Sequence, residues 1–396
     1  MTAPTLPEWN RFVAGLDEAG KRMAAKLPER LRNDPVALQR AYRLLLAATA
    51  RNSIELLGSD RSQPVFQPEI GLAFNIYQPN ADTIYRSAYI DAKGVYRLRG
   101  KRGSVLYFKM AELGPDMIRS NKPSGARAYH DFNDLKLDAQ GRFDVIVSAV
   151  RPKDHSGDWW ELDAGTEKFM IRQVAADWSN EVDPTISIER LDTPAARAPL
   201  TAAAMSAQLA ELPDMIGNAA TFFVDHVEQL REGGYINKLK VFDLSNMTGL
   251  VGQFYYEGAY ELADDEALIV EAKVPDKCGY WSLILTNDVY ETTDWVNHHS
   301  SLNHAQAKVD SDGMFRAVIA AQDPGVPNWL DTAGYASGAA QGRWLDCSSQ
   351  PIPTTRVVKL AQVRKHLAAD TATVTPAQRE AIIRERRQGF QQRLLW

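Results

Sequence analysis

The chain has 396 residues, 45% of them hydrophobic and 24% charged, the mix of a globular protein with a sizeable core and room for two domains. Its net charge of −5 excludes a basic field for nucleic acid, and no apolar run approaches the roughly 20 residues a membrane-spanning helix needs. Cys278 and Cys347 are too few for a disulfide framework and lack CxxC metal spacing, and Met1 to Asn10 lack a basic start with an apolar core, so a cytoplasmic protein is expected.

Two helices are expected within residues 1–60. Asp34-Pro35 supplies an N-cap followed by proline at the first helical position, and the apolar run 36–57 stops at Gly58. The pattern then changes to short β runs at 84–90, 95–98, 104–110, 143–150, 168–175 and 185–191, with turns such as Asp91-Ala-Lys-Gly94 and Asp138-Ala-Gln-Gly141 between them. Strands with connections this short argue for an antiparallel β-sandwich over 61–195 rather than βαβ units. A single long helix is predicted over 199–231, inside a bridging segment 196–235. Met205, Leu209, Leu212, Ile216, Ala220, Phe223, Val227 and Leu230 form its apolar stripe, and Pro213 should bend it. Such a helix between two β regions is a brace across both domains.

Further β runs at 254–262, 267–274, 280–287, 314–321 and 355–360 place a second sandwich over 236–367, with Asp310-Ser-Asp-Gly313 as a hairpin turn. The segment 368–396 reads as a helix starting at Thr375-Pro376. Its Arg379, Arg384, Arg386, Arg387 and Arg393 make a basic face, read as a solvated surface or an oligomer contact. The apolar end Leu394-Leu395-Trp396 suggests docking, either onto a neighbouring subunit in a symmetric dimer or onto the chain's own surface. The fold class expected is mostly β with added helices, α+β, with two antiparallel sandwiches bridged by a long helix.

Chemistry-bearing residues gather in a few places. In Gln78-Pro-Asn-Ala-Asp-Thr-Ile-Tyr-Arg86, the side chains of Asn80, Asp82 and Thr83 can fix a turn, while Tyr85 beside Arg86 can serve as an acid or an anion-stabilising donor. Arg172 lies inside an apolar β run, so it needs a carboxylate partner, either internal (Asp82 or Asp177) or on a ligand. Most tryptophans, including Trp159, Trp295 and Trp329, stand beside polar residues, which suits a pocket wall with one wet edge. Asn297-His-His-Ser-Ser-Leu-Asn-His304 is the densest polar cluster. His298 and His299 would point opposite ways on a strand, His299 and His304 lack the spacing of a helical zinc pair, and no HExxH occurs, so no metal is expected. A general base or donor role for His298 or His299 fits better. No GxGxxG after a strand, no Walker loop and no GxSxG elbow is present.

Two motif sets carry a resemblance. Asn80, Asp82, Thr83 and Tyr85 match an N-x-D-T-x-Y marker. Tyr280-Trp-Ser282, Asn297, Ser301-Leu-Asn303, Pro327-Asn-Trp-Leu-Asp331 and Gly342-Arg-Trp344 match its companion. Over about 35–365 the chain thereby resembles a bacterial two-part family of adjoining domains of unknown function. The resemblance implies two jelly-roll-type sandwiches with helices added, and it supplies no activity. At His298 and His299 the chain departs from the family's pattern, which shifts weight to Asn297, Asn303 and Asp331.

The function expected is acid–base hydrolysis or elimination, without a cofactor, on a small and partly apolar substrate in a Trp-lined cavity. Asp82 or Asp331 would be the base and Tyr85 or His299 the acid. Arg172 would anchor the substrate, with Asn80, Arg86, Asn297 and Asn303 binding and Trp159, Trp295 and Trp329 as walls. The alternative is a carbohydrate- or terpenoid-binding sandwich without chemistry. Neither nucleic acid nor membrane is an expected partner.

Overall fold

The computed structural model describes residues 6–244, 247 and 249–393. Helices α1 (Pro7–Lys26) and α2 (Pro35–Gly58) lead the chain. Asp34 caps α2 as its sequence signal indicates: Oδ1 accepts from the Val36 amide at 2.8 Å, meeting one of the donors a helix start leaves open. Then come β1 (Gln67–Pro68), β2 (Thr83–Tyr89), β3 (Tyr96–Lys101), β4 (Tyr107–Leu113), the short α3 (Met117–Ser120), β5 (Ala126–Asp131), β6 (Arg142–Ser148), β7 (Asp158–Glu161), β8 (Lys168–Val174) and β9 (Thr185–Arg190). They form a five-stranded sheet ordered β1-β2-β8-β4-β5 and a four-stranded sheet ordered β7-β6-β3-β9. Phe108, Met110, Phe169 and Ile171 of the first sheet pack on Tyr96, Leu98, Phe143 and Val145 of the second, making one sandwich core.

The predicted bridge is two helices, α4 (Ala202–Thr221) and α5 (His226–Glu232), rather than one. The break falls at residues 222–225, while Pro213 is carried inside α4. The Pro213 ring lies where a Cβ on Gly15 of α1 would sit, so the glycine permits the close approach of the two helices. α4 packs on α1, α2 and α3, and α5 packs on the second β region, so the pair bridges the two halves.

The second β region contains β10 (Lys240–Phe242), β11 (Gln253–Glu261), β12 (Glu266–Lys273), β13 (Cys278–Leu285), β14 (Ser301–Asn303), β15 (Met314–Ala320), β16 (Trp329–Asp331), β17 (Ser337–Cys347) and β18 (Thr354–Lys359). Its sheets run β10-β11-β17-β13-β14 and β16-β15-β12-β18. Tyr256, Trp281, Leu283 and Trp344 of one meet Leu268, Val270, Phe315 and Ile319 of the other. Gly342 in this core is a matter of space, because a Cβ there would collide with the Tyr256 ring. Pairing is antiparallel except for β6–β7 and β15–β16, which are parallel. Cys278 and Cys347 face each other across β13 and β17 and form one disulfide. Among the described residues no helix is long and apolar enough to cross a membrane.

The five-stranded sheets of the two sandwiches face one another, with Tyr107 and Val174 packed on Tyr280 and Leu345. The last helix, α6 (Pro376–Gln391), starts with the capping box of Thr375 and Gln378. Of the five arginines expected to form a solvated surface or an oligomer contact, Arg384 is exposed and Arg387 half-buried, and the other three are not solvated. Arg379 and Arg386, with Arg393 beyond the helix end, are buried. Arg379 pairs with Asp323 at 2.9 Å and Arg393 with Asp183 at 3.0 Å, and Arg386 donates to the Trp295 carbonyl and Ser301 Oγ. Their seven-residue spacing puts them on one side of the chain, which faces protein. Arg384 alone of the α6 arginines is wholly committed to a neighbour on its own helix, Glu380. Leu394-Leu395-Trp396 lies outside the described residues.

Candidate functional site

Strand alternation decides what the facing sheets present to each other. In β8, Phe169 and Ile171 enter the sandwich core, so Lys168, Met170 and Arg172 emerge on the opposite face. Their cross-strand partners on β2 are Tyr89, Ser87 and Tyr85. In β17 the same rule sends Trp344 inward and turns Gln341 and Arg343 toward the first sandwich, opposite Glu257 and Tyr255 of β11. Between these faces lies a chamber of about 150 Å³, bordered by the segment before β2, the start of α3, the α4–α5 junction and the residues after β10. Apolar side chains, among them Ile70, Met117, Ile118, Met170, Phe223 and Phe242, form most of its wall.

One end of the chamber is cationic and phenolic. Arg343 is 3% exposed, lies over the Tyr255 ring with 5.4 Å to its centroid, and donates to Gln341 Oε1 at 2.7 Å. Gln341 in turn donates to the Tyr290 hydroxyl at 2.9 Å, and Tyr290 donates to Glu257 at 3.0 Å. His226 completes this chain with Nε2 3.0 Å from Glu257. Arg172 enters from the other sheet, over Tyr85 at 5.9 Å. Burial raises the Tyr255 phenol, and the positive charges of Arg343 and Arg172 both oppose that rise.

The other end is a buried ionic network. Arg51 contacts Glu55 and Glu69, and Lys168 Nζ lies 3.2 Å from Glu69 and 3.1 Å from Asp116. Two cations thus meet three carboxyls, so one carboxyl has no full counter-charge. Burial raises Glu55 against the pull of Arg51 and Lys168, whereas for Glu69 and Asp116 those two cations overcome burial and hold the carboxyls low. Glu55 is therefore the first of the three to take a proton. The Tyr89 hydroxyl is 2.8 Å from Glu55 and also touches Asp116, which lines the chamber. A phenol has one proton to give, so Glu55, Tyr89 and Asp116 form a chain along which a proton can be passed to the chamber wall.

Two further observations mark the chamber. Three of the seven non-glycine residues with left-handed backbone among the described residues line it, namely Tyr77 (φ 59°), Gln78 (φ 55°) and Tyr290 (φ 65°). Bulky side chains in that region are strained, and such strain gathers at ligand sites. In addition, Arg343 Nε, Gln78 Nε2 and the Tyr77 hydroxyl are buried without a hydrogen-bond partner among the described residues.

Of the residues selected from the sequence, the chamber includes Tyr85 and Arg172. Asp82 lies instead in a closed clasp between the sandwiches. It accepts from Trp178 Nε1 at 2.9 Å, Tyr280 Oη at 2.5 Å and Asn303 Nδ2 at 2.8 Å. Asn80 donates to Tyr280 Oη at 2.9 Å, and its amide donates to Tyr85 Oη at 3.2 Å. Arg86 is on the other face of β2, where burial lowers its pKa against the field of Asp183. Asp331 is held by His298 Nδ1 at 2.7 Å, away from the chamber lining. His299 is buried with Nδ1–H donating to the Trp329 carbonyl, and burial, with the charges of Arg386 and Arg379, drives it to about 3. A neutral, enclosed imidazole is no acid for a substrate. Asn297 is exposed and bound to Asp294 and Arg387.

The expected tryptophan walls are not there. Trp159 donates to Ser148 on the outer sheet, Trp295 belongs to the first core, and Trp329 donates to the Ala320 carbonyl beneath Arg379. Tyrosine, phenylalanine and methionine line the chamber in their place. His298, His299 and His304 engage separate neighbours, and the described residues contain no group of three or more metal-type ligands. Arg343, Gln341, Gln78 and Lys168 were not singled out from the sequence as site residues. The signal that found Arg172, a charge inside an apolar strand, is equally present in Gln341-Gly-Arg-Trp-Leu345.

Residues 260–339 match the family described as "Protein of unknown function (DUF1214)". The C-terminal part of the chain contains a DUF1214 domain. This agrees with the companion motifs from Tyr280 to Asp331, and it places Tyr280, Tyr290 and Asn303 inside the domain, with Gln341 and Arg343 just beyond the matched residues. An uncharacterized protein from Burkholderia cenocepacia has a similar structure, with a TM-score of 0.82 and 27% identity over 89% of this chain and 97% of that one. The two-sandwich architecture surrounding the DUF1214 domain is thus shared over nearly the whole length. A protein from Vibrio parahaemolyticus is more distant, at 13% identity and a TM-score of 0.47 over 81% of this chain and 98% of that one. No curated protein matches the chain.

Proposed function

We propose that the chamber between the sandwiches is the functional site, that it takes up one small and partly apolar molecule, and that the chain acts on it by acid–base chemistry of the hydrolase or lyase kind. The observation that carries this reading is a convergence on one cavity. The Glu55–Tyr89–Asp116 chain ends at its wall, and Arg343 Nε, Gln78 Nε2 and the Tyr77 hydroxyl around it have no hydrogen-bond partner among the described residues. Buried polar groups are almost always hydrogen-bonded, so unused donors about a cavity point to a bound molecule. Asp116 and Lys168 would exchange a proton with that molecule or steady charge on it, Tyr89 would connect them to Glu55, and the apolar wall would exclude water.

Binding without chemistry is the second reading, and one observation favours it. Glu69 and Asp116 are already engaged, by Arg51, Ser87 and Lys168 and by Tyr89 and Lys168 respectively. Tyr89→Phe separates the two, since it cuts the proton chain and leaves the chamber's shape. With a panel of esters, lactones and β-substituted acids, turnover by the native chain that falls about a hundredfold in Tyr89→Phe with binding retained supports the enzyme. Binding without turnover in both proteins supports the second reading. Absence of any binding would sink both.

A further inference from the structure

We propose that the molecule held in the chamber is an organic monocarboxylate, its charged end gripped by Arg343 with Arg172 as the second cation of the same wall. This rests on the chamber being the functional site and specifies what enters it.

Arg51 has Glu55 and Glu69, Arg379 has Asp323, and Arg393 has Asp183. The buried Arg102 and Arg386 have no carboxylate, but each donates to a backbone carbonyl and to side-chain oxygens of separate segments. Arg343 is as deeply buried, at 3% exposure, yet no carboxylate lies within ion-pair distance among the described residues. Its described hydrogen bond goes to an amide oxygen, Gln341 Oε1, and its Nε is unused. A buried guanidinium without an anion costs several kcal/mol, and a planar fork with open donors fits a carboxylate in two-pronged fashion. Tyr255 fixes the fork's plane from beneath. Gln78, 8% exposed and also with an open donor, borders the same space.

Size and charge narrow the ligand. A dry cavity of about 150 Å³ is known to hold a benzene ring, so this chamber suits a small aromatic or short aliphatic body. At its other end Lys168 is already taken by Glu69 and Asp116, and the network of two cations and three carboxyls there has no surplus positive charge for a second anion. A phosphate monoester, with its charge of about −1.5 to −2, fits such a chamber less well than a single carboxylate. The ligand is therefore anionic at one end only, with an apolar body along Ile70, Met117, Met170 and Phe223.

The test is calorimetric titration of the full chain at pH 7 with benzoate, phenylacetate and hexanoate, each paired with its uncharged amide, and with inorganic phosphate. At least one carboxylate should bind about tenfold or more tightly than its amide. Arg343→Met should abolish that preference, and Arg343→Lys, which keeps charge without the fork, should retain part of it. Equal affinity for acid and amide in the native chain overturns the carboxylate while sparing the chamber. So does a preference that survives in folded Arg343→Met, or phosphate binding tighter than every carboxylate. If neither acids nor amides bind at millimolar concentration, the chamber itself fails as the functional site. The comparison of acid with amide needs no variant, so poor folding of Arg343→Met leaves the test intact.

Discussion

Asp82 and Arg343 are both buried charges at the junction of the two sandwiches, and the protein treats them in opposite ways. Asp82 is surrounded by donors from both halves, with Trp178 on one side and Tyr280 and Asn303 on the other. Arg343 has one amide oxygen, an aromatic ring and an open cavity in front of it. A charge with every bond satisfied fixes architecture, since it holds two domains in one register. A charge left with unused donors beside a cavity is kept at a cost, which the anion proposed above would offset. Both residues sit in motif segments dense in polar and aromatic side chains, so residue type alone does not tell a clasp from a ligand site.

Breaking the clasp should have the larger effect. Asp82→Ala strands three buried donors and uncouples the sandwiches, with an expected loss of about 3–5 kcal/mol in chemical denaturation. A loss under about 1 kcal/mol would mean that the junction is held by its apolar contacts alone.

A pH-dependent effect comes next, at His299. In the folded protein this imidazole stays neutral down to about 3, while in the unfolded chain it takes a proton near the usual 6.5. Above that value both states are neutral and the residue adds no pH dependence. Below it only the unfolded state gains a proton, so stability falls by about 1.4 kcal/mol per pH unit as pH drops toward 3. His299→Asn keeps a donor for the Trp329 carbonyl and cannot take the proton. Its stability deficit relative to the native chain should shrink steadily from pH 6.5 to pH 4, as read from denaturation midpoints. A deficit that is constant with pH would place the titration elsewhere.

The smallest effect is expected at Arg343, and its sign sharpens the contrast. Arg343→Met removes a buried cation that has no carboxylate partner among the described residues, but also its bond to Gln341 and its stacking on Tyr255, so these offset and stability should change by less than about 1 kcal/mol, in the stabilising direction. A destabilisation as large as that of Asp82→Ala would make Arg343 a structural residue like the others.

Local signals were well expressed in the sequence. Asp34-Pro35 and Thr375-Pro376 mark real helix starts, because capping is decided within one turn of chain. The sandwiches also followed from strand spacing and turn residues. The break between α4 and α5 did not, because Phe223, Val227 and Leu230 keep the stripe apolar across it, and periodicity is blind to a turn that preserves burial. The clasp and the chamber were less legible still. Tyr280 and Asp82 are 198 residues apart in sequence, and nothing local joins them. Arg172 stood out because a charge interrupted an apolar strand. The basic residues of α6 resembled a wet surface because their partners, Asp323, Asp183 and the Trp295 carbonyl, lie in distant segments.

Those arginines also set an order of events. α6 follows both sandwiches in the chain, so it leaves the ribosome after them. Arg379 reaches the loop at Asp323, and Arg393 reaches Asp183 and the backbone carbonyl of Asp82. The sandwiches can each condense as they emerge, since domains tend to fold as units from the N-terminal side. The Asp82 clasp can set their mutual register before the arginines arrive, and the arginines then add a second fastening across the same junction. A nascent chain stalled before residue 376 would therefore carry two formed β-domains joined by the clasp but not yet by the α6 arginines, and synthesis of that helix would lock a junction already in place.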